Sequence, residues 1–464
     1  VAANQGWARP PPGISPMTNT VSIARRIERL PITRYQRTIF IVIATAWFFD
    51  CVDLATMTFI LSSIKAEFSL SSQQVGTLAG MSFLGMFLGA GSAGILADKF
   101  GRCVVFRWSI VLWGVSSLAC AAAPNVGTLM CFRVLLGIGL AMELPVAQSL
   151  VCEFIPTKQR GKYVALLEGG WPIGFIAAGV LAHFILPRYG WRGAFVAEAI
   201  PAFFVLVVRR IVPESPRWLA ETGKIDQAEA VLGAIETKVK RVLQVDNLPE
   251  VEIGPEEVSP SQQKHFPFVQ LWKGDYAKRT CMVWSLWFFA LLGYYGLTTW
   301  LGALLEERGY EVTKSTDYIT LMALAGIPGF LVAAWLLEAW GRKPVVMCAL
   351  AGSAVLGYCY GTATSHTMMI IYGLGMQFFM FGMWSVIYAY TPELYPTHAR
   401  ATGTGFASSV GRIGAFLGPT LVGVILPHTG QRGVFIMAGC SFFIAAVAVM
   451  VLGKETKGIV LEEI

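Results

Sequence analysis

Apolar runs of twenty or more residues recur along the whole chain and constrain its fold more than any other feature. Twelve of them lie near 38–63, 73–97, 104–123, 126–152, 163–186, 191–212, 280–305, 316–339, 344–363, 367–391, 402–427 and 432–453. Each matches the roughly 20 residues that an α-helix, rising about 1.5 Å per residue, needs to cross about 30 Å of hydrocarbon. Charged residues make up only 14% of the chain, against about 25% in soluble domains, so a soluble globular fold is excluded. The expected fold is an all-α polytopic membrane protein with twelve transmembrane helices. The first 37 residues are Pro-rich and carry arginines without an apolar stretch, so the first block reads as a retained helix rather than a signal peptide.

The net charge of +7 is scattered over short segments between the blocks, which points to topology and not to a nucleic-acid partner. With both termini cytosolic, 28 of the 36 Lys and Arg residues fall on the cytosolic side and six outside, while Arg133 and Arg412 lie within blocks. That asymmetry follows the positive-inside tendency. The boundaries expected are a cytosolic tail over 1–37, a six-helix half over 38–212, a cytosolic segment with amphipathic helices over 213–279, a second six-helix half over 280–453 and a cytosolic tail over 454–464. The nine cysteines fall within or at the ends of apolar blocks, with no CxxC pair and no His/Cys cluster. They read as small apolar fillers, with no disulfide, metal or cofactor.

An internal repeat supports the division into halves. Asp98, Gly101 and Arg102 after the second block recur as Glu338, Gly341 and Arg342 after the eighth, at an offset of 240. Glu153, Pro156, Thr157 and Arg160 after the fourth recur as Glu393, Pro396, Thr397 and Arg400 after the tenth, at the same offset. Duplicated halves place a transport path where they meet, with the substrate near the bilayer midplane. The acid–glycine–arginine loops then act as gate latches, pairing with charges at helix ends in one state and separating in the other.

These residues also carry a resemblance: Gly94 to Arg102 resembles the loop signature of the major facilitator superfamily. Pro213 to Leu219, with Arg160-Gly161, resembles its sugar-porter-like branch, which also holds organic ion transporters and the synaptic vesicle glycoprotein 2 group. The resemblance implies two pseudo-symmetric six-helix halves working by alternating access.

A charge at the centre of a spanning helix costs roughly 2.5–3.5 kcal/mol on insertion scales, so each one is a candidate functional group. They are Asp50 and Asp53 in the first span, Arg133 and Glu143 in the fourth, Glu168 in the fifth, Glu198 in the sixth and Arg412 in the eleventh. Asp50 and Asp53, three residues apart, lie on one helical face and cannot both ionise cheaply, which suits a proton carrier. By depth, Asp53 and Arg133 can pair. The run Asp50 to Asp53 resembles the Asp-Gly-x-Asp element of bacterial aromatic-acid:proton symporters, with Cys51 standing where that pattern has Gly, and Asp53 with Arg133 resembles the coupling pair of proton-linked sugar porters. Glu143 and Glu168, each close to a proline that loosens its helix, are candidates for a second proton site or a substrate hydrogen bond, with structural pairing as the alternative. Glu198 is a weaker candidate of the same kind.

Arg412 lies about ten residues into its span, where its guanidinium could hold a carboxylate in bidentate fashion. Val410 to Gly414 resembles the eleventh helix of organic anion transporters, in which an arginine occupies the cavity; pairing of Arg412 with Glu143 or Glu168 is the structural alternative. In this family the helices carrying Trp171, Tyr294, Tyr295, Trp300, Phe379, Trp384 and Tyr388 line the cavity, where these rings could stack on an aromatic ligand.

The expectation is a monomeric secondary transporter of a bacterial inner membrane, coupling proton entry to uptake of a small organic anion. An aromatic monocarboxylate is favoured, and the chain resembles the bacterial nicotinate transporters. A sugar or organic-cation carrier of the same fold and a non-transporting receptor remain open. An intramembrane enzyme is disfavoured: no Ser/His/Asp order, HExxH motif or phosphate loop is found, and His183, His265, His366, His398 and His428 lie in loops or at span ends.

Overall fold

A computed structural model describes residues 23, 25–245, 248, 268–395 and 397–457. Nine helices among them are long and apolar enough to cross a membrane. The first four spans are α1 (Arg34–Phe68), α2 (Ser72–Phe100), α3 (Arg102–Ala121) and α4 (Val126–Phe154). The fifth and sixth run through α5 (Thr157–Glu168), α6 (Gly170–Ala199), a 3-10 turn and α7 (Val205–Ile211), bending back at Gly190 with φ 61°. Between the halves come α8 (Pro216–Glu221) and α9 (Ile225–Leu243). The second half holds α10 (Asp275–Glu307), then the eighth span as α11 (Val312–Ala323) and α12 (Gly326–Trp340), then α13 (Arg342–Thr362) and α14 (His366–Glu393). It closes with α15 (Thr397–Leu452), two spans that turn at Gly430 with φ 62°. Twelve spans in two pseudo-symmetric halves result.

The two hairpin bends add a third instance of the repeat. Pro187, Gly190, Arg192 and Gly193 stand 240 residues before Pro427, Gly430, Arg432 and Gly433. Only glycine enters the left-handed region without a steric penalty, so this spacing is set by the backbone of the bend.

Side-chain caps close several of the helix starts, satisfying N–H groups that the helix itself leaves free. The first span starts four residues earlier than its apolar run because Thr33 and Gln36 form a reciprocal capping box, with the Thr33 amide 3.0 Å from Gln36 Oε1. Ser71 and Gln74 do the same for α2. The described residues just before the first span are docked: Ile23 and Ile27 pack on Trp218, Leu219 and Leu232. Arg26 bonds to Glu229 and Glu236, and Arg217 to Glu28.

The halves meet closely at the end opposite this docked segment. Gly76 and Gly80 of α2 pack against the backbone of Pro419, Thr420 and Phe416, so near that an added Cβ at Gly80 would stand 2.7 Å from the Phe416 carbonyl. Ser62 donates to Glu306 at 2.7 Å, Lys65 faces Glu307 at 3.9 Å and His183 bonds to Asp317 at 2.6 Å. The apolar window of the seventh span is 89% buried and that of the ninth 39%, which sets the seventh on the central axis and the ninth toward lipid.

Candidate functional site

Where the halves meet, a cavity is lined by Trp47 and Leu54 of the first span, Met86 of the second, Glu168 and Trp171 of the fifth, Tyr295 of the seventh, Phe330 of the eighth, Trp384 and Tyr388 of the tenth and Arg412 of the eleventh. Its volume is about 30 Å³, room for water but far below the roughly 150 Å³ that holds a benzene ring. The side chains are folded in on one another. Tyr295 lies 4.3 Å from Phe83 and 6.3 Å from Trp384, Trp384 lies 5.8 Å from Tyr388, and Trp171 lies 6.5 Å from Tyr295, all between ring centroids.

Polar groups in this cavity are sparse. Arg412 touches the Met86 sulfur through Nη1 at 3.4 Å, and among the described residues its Nε is buried without a hydrogen-bond partner. The Trp47 indole N–H is buried and unpartnered in the same sense. Glu168 accepts from Gln148 at 2.7 Å and feels the charge of Arg412 without forming an ion pair with it. Buried donors left unmade cost free energy, and an acceptor entering the cavity would satisfy these two.

Six of the nine residues that the sequence suggested for this site line the cavity. Tyr294 sits just behind it, accepting from the Trp171 indole at 3.1 Å with its ring 5.2 Å from Trp384. Trp300 and Phe379 stand elsewhere. Trp300 donates to the Pro419 carbonyl at 3.0 Å, joining the seventh span to the eleventh, and Phe379 packs on Gly352 of the ninth. Trp47, Leu54, Met86 and Phe330 escaped sequence reading because single apolar residues in apolar helices carry no signal.

A second polar group lies within the first half. Arg133 Nη1 stands 3.8 Å from Asp53 Oδ1, with both side chains almost wholly enclosed, and its guanidinium lies 5.7 Å from the centre of the Phe195 ring. Glu198 is buried beside this pair. Asp50 lies instead near Glu143, and Glu143 Oε2 accepts from the Trp113 indole at 3.2 Å. The two aspartates of one helical face therefore meet different partners from the fourth span. Gly174 gives Cys51 its room, since a Cβ there would collide with the Cys51 side chain.

The repeated loops build two matching clusters. Arg102 forms an ion pair with Glu153, and Arg342 binds Glu393 through Nε at 2.8 Å and Nη2 at 2.9 Å. Glu214 then accepts the Cys103 amide at 2.9 Å, while Glu455 accepts the amides of Arg342 and Lys343 at 2.8 and 3.0 Å. Gly101 and Gly341, with φ of 107° and 100°, supply the turn that lets these carboxylates approach. Asp98 is not the partner of Arg102: its side chain is exposed and its carbonyl accepts from the Trp218 indole at 2.8 Å. Glu338 does meet Arg342, at 3.2 Å, from the surface. Arg400 donates to the Pro392 carbonyl at 3.0 Å, and the side chain of Arg160 lies outside the described residues. Sequence reading missed Glu214 and Glu455, although Glu214-Ser215 and Glu455-Thr456 recur at an offset of 241.

Comparison with known proteins agrees with this architecture. The niacin transporter of Acinetobacter baylyi is 37% identical over 96% of this chain and 100% of its own length. A putative niacin/nicotinamide transporter of Bacillus subtilis is 33% identical over 92% of this chain and 98% of its own. The inward-open xylose transporter of Escherichia coli superposes with a TM-score of 0.73 at 18% identity, covering 92% of this chain and 99% of that one, and so shares the fold. The family described as "Sugar (and other) transporter" matches residues 39–464. On that match, the chain belongs to the sugar (and other) transporter family of the major facilitator superfamily.

Proposed function

We propose that the protein carries a small aromatic monocarboxylate, nicotinate foremost, into the cell together with protons by alternating access. The observation that carries this reading is the cavity itself: a guanidinium with no carboxylate ion pair among the described residues, an unpartnered indole N–H from Trp47, and ring walls from Trp171, Tyr295, Trp384 and Tyr388. A carboxylate answers the first two and a flat ring the rest. The niacin transporters, similar over nearly the whole chain, support the same class.

In this reading Arg412 holds the carboxylate, Glu168 with Gln148 binds the polar edge of the ring, and Tyr294 braces Trp171 from behind. Asp53 with Arg133, and Asp50 with Glu143, carry the proton. Four buried carboxylates, Glu198 included, share one guanidinium, and those without a countercharge are buried at least cost when protonated. The clusters built on Arg102, Glu153 and Glu214 and on Arg342, Glu393 and Glu455 hold the basic end of each half together, and Asp98, Glu338, Arg160 and Arg400 belong to the same gating surface. That end, with both termini, faces the cytosol, and the halves run over 38–212 and 280–453 around a cytosolic segment at 213–279. The protein works as a monomer in the bacterial inner membrane.

Because the cavity is nearly shut, binding must swing its aromatic side chains apart, and indole fluorescence reports that motion. Titrating purified protein with nicotinate should change the emission saturably, benzoate should displace it and glucose should not. Displacement by glucose, or no saturable response to any aromatic acid, would overturn the assignment.

A further inference from the structure

We propose a binding site for an anionic phospholipid in a groove on the lipid-facing side of the first half. The groove, of about 350 Å³, lies between the third and sixth spans near the basic end and is lined by Val104, Trp108, Val111, Val205 and Leu206 with Arg107 and Arg209. Its walls continue into an apolar surface on the outside of a membrane-spanning helix bundle: Trp108 is 66% exposed, Leu206 55% and Phe203 73%. Acyl chain therefore fills the apolar part.

The two arginines select the headgroup. Arg107 stands five residues into α3, about 8 Å from its start at 1.5 Å per residue, and Arg209 stands two residues before the end of α7. Both thus reach headgroup depth. Arg107 is held in place by its bond to the Val212 carbonyl at 3.2 Å, and Arg209 is exposed on the facing wall. No carboxylate lines the groove, and among the described residues neither arginine has an ion-pair partner. The neighbouring acid, Glu214, is spent on the Cys103 and Ser215 amides. Two uncompensated guanidiniums above an apolar slot fit a phosphate carrying net negative charge, as basic pockets between membrane helices do. A zwitterionic lipid brings its own ammonium to the same place and loses that advantage.

The occupied groove would tie the end of the sixth span to the start of the third, beside the Arg102–Glu153 pair. The test is native mass spectrometry of the purified protein with equal amounts of phosphatidylglycerol and phosphatidylcholine of matched acyl chains. The wild type should retain phosphatidylglycerol in preference. Arg107→Gln with Arg209→Gln should lower that preference about thirtyfold, the effect of two basic groups at an anionic surface; Arg209→Gln alone, on an exposed position that folding does not need, should lower it part of the way. Arg241→Gln, on α9, should leave it unchanged. Equal retention of both lipids by the wild type would overturn the proposal, as would undiminished preference in Arg209→Gln, or an equal loss in Arg241→Gln.

Discussion

Asp53 and Arg133 face one another at 3.8 Å inside the first half, both less than 3% exposed, and neither the Asp53 oxygens nor Arg133 Nη1 has a closer hydrogen-bond partner among the described residues. An ion pair this enclosed and this loose is poorly repaid by its own Coulomb attraction, so a proton can replace the guanidinium at small cost. Asp53→Asn should therefore abolish accumulation against a gradient while leaving nicotinate exchange across the membrane intact. Counterflow in proteoliposomes measures the second property separately from the first, and a variant that still accumulates would remove Asp53 from the coupling.

Arg412→Ala should weaken nicotinate binding by about 10- to 100-fold, the range for losing hydrogen bonds to a charged partner, with little change in thermal stability because Arg412 makes only its contact to the Met86 sulfur in the described cavity. Arg412→Lys, a point charge without the planar fork, should recover part of the affinity. Phe379→Leu, packed on Gly352 away from the cavity, should bind as the wild type does. Titration calorimetry distinguishes the three.

Much of this was legible in the chain itself. The twelve spans and the duplication at 240 residues follow from hydrocarbon thickness and from backbone turns, which leave marks at fixed spacing. Arg412 and Asp53 were visible because a charge in an apolar helix stands out. The partners were less visible: Asp50 and Asp53 share a helical face, yet only the fold shows that one lies near Glu143 and the other near Arg133. Trp300 and Phe379 looked like cavity residues because helical position alone does not say which side of a span a ring occupies. Trp47 and Met86 left no trace at all, since an apolar wall is built from the same residues as the rest of the span.

The two matched clusters at the basic end give a prediction about the turns. A Cβ at Gly101 would stand 2.6 Å from the Glu214 carboxylate and one at Gly341 2.7 Å from that of Glu455, both at strongly positive φ. Gly101→Ala and Gly341→Ala should each destabilise the protein by about 1–3 kcal/mol, read as a lower melting temperature in detergent. Unchanged melting in both would mean that the turn tolerates another conformation.

Glu455 makes one of these clusters sensitive to acid. Burial pushes its carboxyl up, but the amides of Lys457, Arg342, Lys343 and Thr456 together outweigh burial and hold it below its ordinary value of 4.5. A depressed value means that the contact stabilises the fold above pH 4.5 and is lost as pH falls through the lower, folded-state value. Melting temperature should therefore fall more steeply below pH 4.5 in the wild type than in Glu455→Gln, which starts lower and lacks this component. Parallel pH profiles would exclude Glu455 as a contributor.

The central claim, that proton entry drives uptake of an aromatic carboxylate through this fold, is tested most directly by labelled nicotinate uptake into proteoliposomes with and without an inward proton gradient. The account predicts accumulation above equilibrium only with the gradient, blocked by benzoate and untouched by glucose. Uptake indifferent to the gradient, or competed by glucose and not by benzoate, would contradict it.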